Sequence, residues 1–397
     1  MILRIFRFRL YPSKAQIRNL EQTLEDCRYV YNILLANHKR TYEETGKTLS
    51  EYDMNLALKP LKAKCPILFN VHSQVLQNVS KRIKDAYHNF LARKKLGLKA
   101  GLPRFKKYGR YKSITYPQSG FKIERKKLYL SKIGSVNIKL HRSIKGVVKI
   151  LTVKRMPSGK WFASFSCKVK EQPMKKPIKD VGIDVGLTSF AVLSDGNRIK
   201  NPRHYRETEK KLSRLQRQLS RKKKGSHNRN KAKVKVARLC EKIRNRRIDF
   251  LHKASDQIAN NYEIVYVEDL QIRNMVKNHC LAKSISDASW GKFMQMIAYK
   301  EEESGGQLIK VNPRNTTQLC SQCGEIVEKN LSQRIHDCPH CGLKMDRDLN
   351  ASKNILRIGQ ELPKYTPERK LTSTSSQERE RGKFDLMNQE AFLLVER

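Results

Sequence analysis

Two CxxC pairs lie just ahead of an acidic run: Cys320-Ser321-Gln322-Cys323 and Cys338-Pro339-His340-Cys341 precede Met345-Asp346-Arg347-Asp348-Leu349-Asn350. A CxxC turn brings two thiolates to one side of a tight loop. Two such turns complete a tetrahedral Zn²⁺ shell without a packed core beneath them. The connection between the pairs, residues 324 to 337, is 14 residues long, close to the range of zinc ribbons. Gly324 and Gly342 each follow the second cysteine of a pair, and with Pro339 they suit the sharp turns such knuckles need. The spacing predicts a structural zinc site of Cys320, Cys323, Cys338 and Cys341, with redox pairs or free thiols as the competing reading. Four sulfurs already close the shell, so His340 is expected on the surface or facing nucleic acid.

The 397 residues are enough for two or three domains with sizeable cores. The chain carries 83 Lys and Arg against 37 Asp and Glu, a formal net charge of +46. That excess is more than solubility asks for and points to a polyanionic partner. No apolar run approaches the ~18 residues of a membrane span, and the N-terminus lacks the apolar core of a signal peptide. A soluble cytoplasmic protein with no membrane partner is expected. Five of the nine cysteines (Cys27, Cys65, Cys167, Cys240, Cys280) are scattered, which fits a reducing compartment better than a disulfide framework.

From the N-terminus, Ile2 to Leu10 reads as a strand whose even positions are apolar except Arg4. Ser13 and Gln16 have capping-box spacing. The helix they open carries Ile17, Leu20, Leu24, Cys27, Tyr31 and Leu34 at three- and four-residue steps. A second amphipathic helix is predicted over about residues 72 to 93, with Leu76, Val79, Ile83, Ala86 and Phe90 inward. Its neighbouring stripe of Ser73, Gln74, Gln77, Lys81 and Lys84 could bond base edges and phosphates, or simply be a solvated face. Gly101 to Tyr108 alternates cations and aromatics, and Arg104, Lys106 and Lys107 suit phosphate contact beside base stacking. The period then changes to two, with a hairpin turn at Met156-Pro157-Ser158-Gly159 between strands at 148–155 and 161–169. Residues 1–12 and 101–170 are expected to form a β-barrel with a helical lobe, 13–100, inserted in it.

Residues 171–179, with Pro173 and Pro177, read as a linker into a second domain over 180–357. Val181 to Leu187 is an apolar strand interrupted by Asp184, and a buried carboxylate in a strand needs a cation or a donor. Residues 204–260 read as a helical hairpin: Glu209 to Arg247 holds 17 Lys and Arg against two Glu along a thin apolar seam. Such density repels itself without a phosphate backbone alongside, so Arg221, Lys222 and Lys223 near the turn are candidate nucleic-acid contacts. Glu263 to Leu270 is a short strand reaching Glu268, and Asp348 opens a helix whose N-terminus favours a negative group. The tail, 358–397, has the composition of a disordered segment.

A hairpin bearing Asp184, a later strand ending in Glu268 and a terminal helix beginning at Asp348 form the element order of a ribonuclease-H-like fold. Three acids at one point repel one another unless cations sit among them. Two Mg²⁺ about 4 Å apart could then activate water and stabilise the leaving oxygen in phosphodiester cleavage.

These residues resemble the TnpB family, transposon-encoded RNA-guided nucleases related to the compact type V CRISPR effectors. The likeness rests on Tyr11-Pro12-Ser13, the Ser73 to Asn78 helix, Leu102-Pro103-Arg104-Phe105-Lys106, Gly182-Ile183-Asp184-Val185-Gly186, Val267-Glu268-Asp269-Leu270, Asn315-Thr316-Thr317 and Asp346 to Ala351. It implies a multidomain α/β protein: a WED-like barrel, a REC-like helical lobe with a helix-turn-helix-type N-terminal region, and a RuvC-like nuclease domain carrying a four-cysteine zinc ribbon at 315–345. It implies Asp184, Glu268 and Asp348 as the catalytic, Mg²⁺-binding triad, with Asp346 capping or orienting Asp348. It implies a transposon-end-derived guide RNA and double-stranded target DNA as partners, with sequence read by base pairing next to a short duplex motif. Two other readings remain: a guided binding protein that does not cut, and a transposase that joins DNA ends with the same acids.

Overall fold

The computed structural model describes residues 2–169, 179–330 and 332–362. Residues 171–178 of the expected 171–179 linker and the tail beyond 362 lie outside them. The first strand, β1 (Ile2–Tyr11), leads into the long helix α1 (Lys14–Thr45), whose capping box is formed as expected: Gln16 N–H donates to Ser13 Oγ, and Ser13 N–H donates to Gln16 Oε1. The short helices α2 (Glu51–Leu56) and α3 (Leu58–Lys64) and a 3₁₀ turn precede α4 (Ser73–Lys95). Then come β2 (Ser113–Tyr116), β3 (Phe121–Glu124), β4 (Lys127–Leu130), β5 (Gly134–Lys139), β6 (Val147–Arg155) and β7 (Trp161–Val169). All pairings are antiparallel, in the order β2-β6-β7-β1-β5-β4-β3. The two edge strands approach each other where the Tyr116 and Phe121 rings meet at 6.4 Å, so the sheet is a nearly closed barrel.

Alternation along β1 buries Phe6, Phe8 and Leu10, as the pattern predicts. Leu20, Leu24, Cys27, Val30 and Leu34 of α1 and Leu76, Val79 and Ile83 of α4 join them in one continuous core. The helices are therefore seated on the barrel wall. Ala86 and Phe90, expected inward, are only half-buried.

The second sheet has the order β10-β9-β8-β11-β12, built from β8 (Asp180–Asp184), β9 (Ser189–Leu193), β10 (Arg198–Lys200), β11 (Ile264–Glu268) and β12 (Gln307–Val311). β8, β11 and β12 are parallel, while β8, β9 and β10 form an antiparallel meander. Between β10 and β11 run the hairpin helices α5 (His204–Ser220) and α6 (His227–Asn261), joined along a seam of Leu212, Val236, Leu239 and Ile243. The helices α7 (Ile272–Met275), α8 (Ala282–Ala288) and α9 (Trp290–Ser304) follow β11. The chain then passes through the cysteine segment, with the ribbon β13 (Ile335–Asp337) and β14 (Lys344–Asp346), into α10 (Arg347–Glu361). The halves meet where Arg4 Nε donates to Glu303 Oε1 at 2.7 Å. Among the described residues no helix is long and apolar enough to cross a membrane.

The two faces of this sheet are covered differently. Val181, Ile183, Val265 and Val267 pack against α6, α8 and α9. The intervening residues Gly182 and Tyr266 face α10. There the helix lies unusually close: a Cβ on Gly182 would stand 2.2 Å from the Ser352 carbonyl oxygen, and one on Gly359 would stand 2.0 Å from the Tyr266 ring.

Candidate functional site

Strand periodicity and register bring the first two acids together. Tyr266 pairs with Gly182 and Val267 with Ile183, so Glu268 and Asp184 are the next residues at the ends of adjacent parallel strands. Both share the parity of the α10-facing residues, and α10 delivers Asp348 in its first turn. Its N-cap is Asp346, whose Oδ1 accepts from the backbone N–H of Asp348 at 3.0 Å and of Leu349 at 3.1 Å. Asp346 also pairs with Arg198 at 3.2 Å.

The electrostatics follow from this crowding. Burial, then the charges of Glu268 and Asp348, push the Asp184 carboxyl up to about 8, with Arg347 opposing them. Burial also raises Glu268, against a short hydrogen bond that Thr316 Oγ1 donates to its Oε1 at 2.5 Å. Arg347 Nε lies 3.5 Å from Asp348 Oδ1. These cations do not neutralise the cluster, and an acid pair at two strand ends beside a third on a helix N-terminus is a donor set of hard oxygens suited to Mg²⁺.

Thr316 belongs to the loop that enters the cysteine segment. It is 1% exposed, and its carbonyl accepts from Asn354 Nδ2 at 2.9 Å. Asn354 Nδ2 and Asn350 Nδ2 both donate to the Leu319 carbonyl at 2.7 Å, and Asn350 Oδ1 accepts the Ser321 N–H at 2.9 Å. The first knuckle is thus fastened to the helix that carries Asp348.

The four cysteines are free thiols brought to one point. Cys320 Sγ lies 3.6 Å from Cys341 Sγ, and Cys323 Sγ lies 3.6 Å from Cys338 Sγ. Two sulfurs ~2.3 Å from one tetrahedral ion stand about 3.8 Å apart, so the cluster fits zinc. Among the described residues it is the one group of three or more potential ligands with all donor atoms within 4.8 Å; the acids are more widely spaced. The knuckles are built alike: Gly324 N–H donates to the Cys320 carbonyl and Gly342 N–H to the Cys338 carbonyl, at φ of 83° and 71°, values that favour glycine. The Cys320 thiol is brought down to about 5. Burial opposes its ionisation, but the N–H groups of Cys323 and Gln322, with His336, outweigh that. His336 is fully buried and His340 exposed, the latter as expected.

The candidate nucleic-acid residues divide. Ser73, Gln77, Lys81, Arg104, Lys107, Arg221, Lys222 and Lys223 are exposed, although Ser73 Oγ accepts from Lys62 at 3.0 Å. Gln74 uses its Oε1 on the Ser119 N–H and hydroxyl. Lys106 is half-buried, its ammonium 4.6 Å over the Tyr31 ring, while its backbone is clasped by Asn32. The Gln74 carbonyl oxygen and the Lys106 ammonium are thus already engaged within the protein. Thr316 and Asn354 escaped the sequence reading of the site; Asn315-Thr316-Thr317 stood out only as a motif.

A family described as "Probable transposase" matches residues 164–279, a "Cas12f1-like, TNB domain" matches 290–355, and a helix-turn-helix domain matches 1–47. That last span holds one strand and one 32-residue helix. A "Putative RNA-guided DNA endonuclease" of Streptomyces pristinaespiralis is 35% identical over 366 residues, 90% of each chain. "Putative RNA-guided DNA endonuclease InsQ" of Escherichia coli (strain K12) is 34% identical over 378 residues, 90% of this chain and 92% of that one. The CRISPR-associated endodeoxyribonuclease Cas12f1 of Sulfoacidibacillus thermotolerans is 28% identical over 214 residues, 49% of this chain and 50% of that one. With near full-length relatives of this kind, and family matches whose spans contain Asp184 and Glu268 (164–279) and Asp348 (290–355), the chain belongs to the TnpB family.

Proposed function

We propose that the protein is an RNA-guided DNA endonuclease that hydrolyses phosphodiester bonds with Asp184, Glu268 and Asp348 as ligands for Mg²⁺. The observation that supports this reading is that strand register and helix packing put the three acids on one face of the sheet, close enough that Glu268 and Asp348, after burial, help push the Asp184 carboxyl up to about 8. Magnesium held there supplies Lewis-acid activation of water and charge neutralisation at the leaving oxygen. The chain's own part is positional. Parallel strands fix Asp184 against Glu268, Asp346 caps the helix that presents Asp348, and Thr316 occupies one Glu268 oxygen so that the other is left to turn toward the cluster.

The exposed cations of α5 and α6 and of the 104–107 segment suit an RNA scaffold and a guide–target duplex held through their backbones. The cysteine cluster holds zinc as a structural brace. Domain roles follow: the barrel with its helices grips RNA and reads a short flanking duplex, and the second sheet cuts.

Co-expression with the RNA transcribed beside its gene, followed by sequencing of what co-purifies, identifies the guide. The purified complex is expected to linearise a plasmid matched to that guide, only in the presence of Mg²⁺. Strand-transfer products formed by protein without RNA would favour end joining instead.

A further inference from the structure

The hydrogen bonds around Thr316 link three things that the nuclease reading treats separately: Glu268, the helix of Asp348 and the first cysteine knuckle. Thr316 Oγ1 donates to Glu268 Oε1, and the Thr316 carbonyl is held by Asn354. Asn354 and Asn350 share the Leu319 carbonyl, one residue before Cys320, and Asn350 also receives the Ser321 N–H one residue after it. Thr316, Asn350 and Asn354 are each no more than 1% exposed. A buried amide or hydroxyl is costly to leave without its partner, so loss of one of these bonds bears on the others.

The geometry points to Thr316 as a positioning residue that fixes the Glu268 carboxylate for divalent-cation binding, with Asn354 setting where Thr316 stands. This rests on the acids being the metal site. Glu268 ends a strand, and its side chain has several rotamers open to it there. A hydroxyl fixed on Oε1 selects one of them and leaves Oε2 free. Carboxylates that ligate metals are commonly held in this way, and loss of such a support weakens affinity by about 10- to 100-fold. These hydrogen bonds join the loop to α10, although Asn354 Oδ1 itself is buried without a partner, so the same set of bonds helps place Asp348 and Glu268. The CxxC knuckle on this loop thereby becomes part of the frame of the acidic site.

The test uses full-length, zinc-loaded protein with Mn²⁺ as the probe, free Mn²⁺ being counted by electron paramagnetic resonance. Thr316→Val keeps the shape and removes the donor; it is expected to weaken Mn²⁺ binding at least tenfold, with zinc content unchanged. Thr316→Ser restores the hydroxyl and is expected to bind within about threefold of wild type, a rescue that simple loss of packing does not give. Asn354→Ala, which leaves Thr316 and Glu268 intact, is expected to weaken binding as well. Asp184→Asn separates the two layers of the argument. If it abolishes Mn²⁺ binding while Thr316→Val leaves affinity unchanged, the positioning role is overturned and the acidic site stands. If it leaves Mn²⁺ binding unchanged, both are overturned.

Discussion

Replacing Gly182 by alanine tests the placement of α10 with a single methyl group. The added Cβ would lie 2.2 Å from the Ser352 carbonyl oxygen and 2.6 Å from the Leu356 backbone nitrogen. These are backbone atoms, so no rotamer change relieves the clash. Ordinary contact begins at 3.4 Å, and reaching it from 2.2 Å takes a withdrawal of about 1.2 Å by the helix or the strand. Overpacking of this kind costs ~1–3 kcal/mol or more. In a lobe of roughly 180 residues that lowers the melting temperature by about 3–10 °C. Asp348 lies one helical turn before Ser352 and moves with it, and a 1 Å misplacement of a reacting group costs on the order of 100-fold in rate. The assay is thermal melting together with cleavage of guide-matched plasmid by the RNA-loaded protein. Gly196→Ala is the control: its φ of +93° makes the substitution locally strained, but nothing lies within 4 Å of the new Cβ. It should lose stability without losing its cutting rate relative to folded protein. A Gly182→Ala protein that melts and cuts like wild type would refute the seating of α10 on β8.

Other consequences are as direct. Burial and its acidic neighbours raise the Asp184 carboxyl to about 8, far above the ~3.9 of an unfolded chain. In metal-free protein its contribution to stability is full below pH ~4 and is lost as pH rises through about 8; Asp184→Asn should therefore melt higher than wild type at pH 8 without divalent ions, with the gap closing toward pH 4. Cys338→Ser should remove zinc measured by elemental analysis and lower the melting temperature of the second lobe. Changing Arg221, Lys222 and Lys223 together to Gln should weaken RNA binding and flatten its dependence on salt, by ~0.7–0.9 in log–log slope for each phosphate no longer neutralised.

What the chain disclosed before its fold was seen depended on whether the information was local. The knuckles could be read because zinc ligation imposes its spacing over a few residues, and the β6–β7 hairpin because its turn lies in Met156 to Gly159. The acids stood out because carboxylates at the ends of apolar strands are expensive. The partners that define the site were not local. β11 inserts between β8 and β12, a pairing that strand order along the chain does not carry, and Thr316 reaches Glu268 across 48 positions of sequence. Gly359 fell at the start of the segment expected to be disordered, 358–397, yet α10 continues through Glu361 and the Tyr266 ring packs against Gly359. Lys106 looked like a phosphate contact because charge pattern does not say which way a side chain turns; the Tyr31 face and the Asn32 clasp hold it inward.

The central claim is that three distant acids act as one metal-binding centre for cutting. The direct measurement is plasmid cleavage by RNA-loaded Asp184→Asn, Glu268→Gln and Asp348→Asn, each beside wild type, with binding of the matched DNA measured on the same preparations. The account predicts that all three bind DNA within about twofold of wild type and cut at least ~1,000-fold more slowly. Cutting at the wild-type rate by any one of them would contradict it.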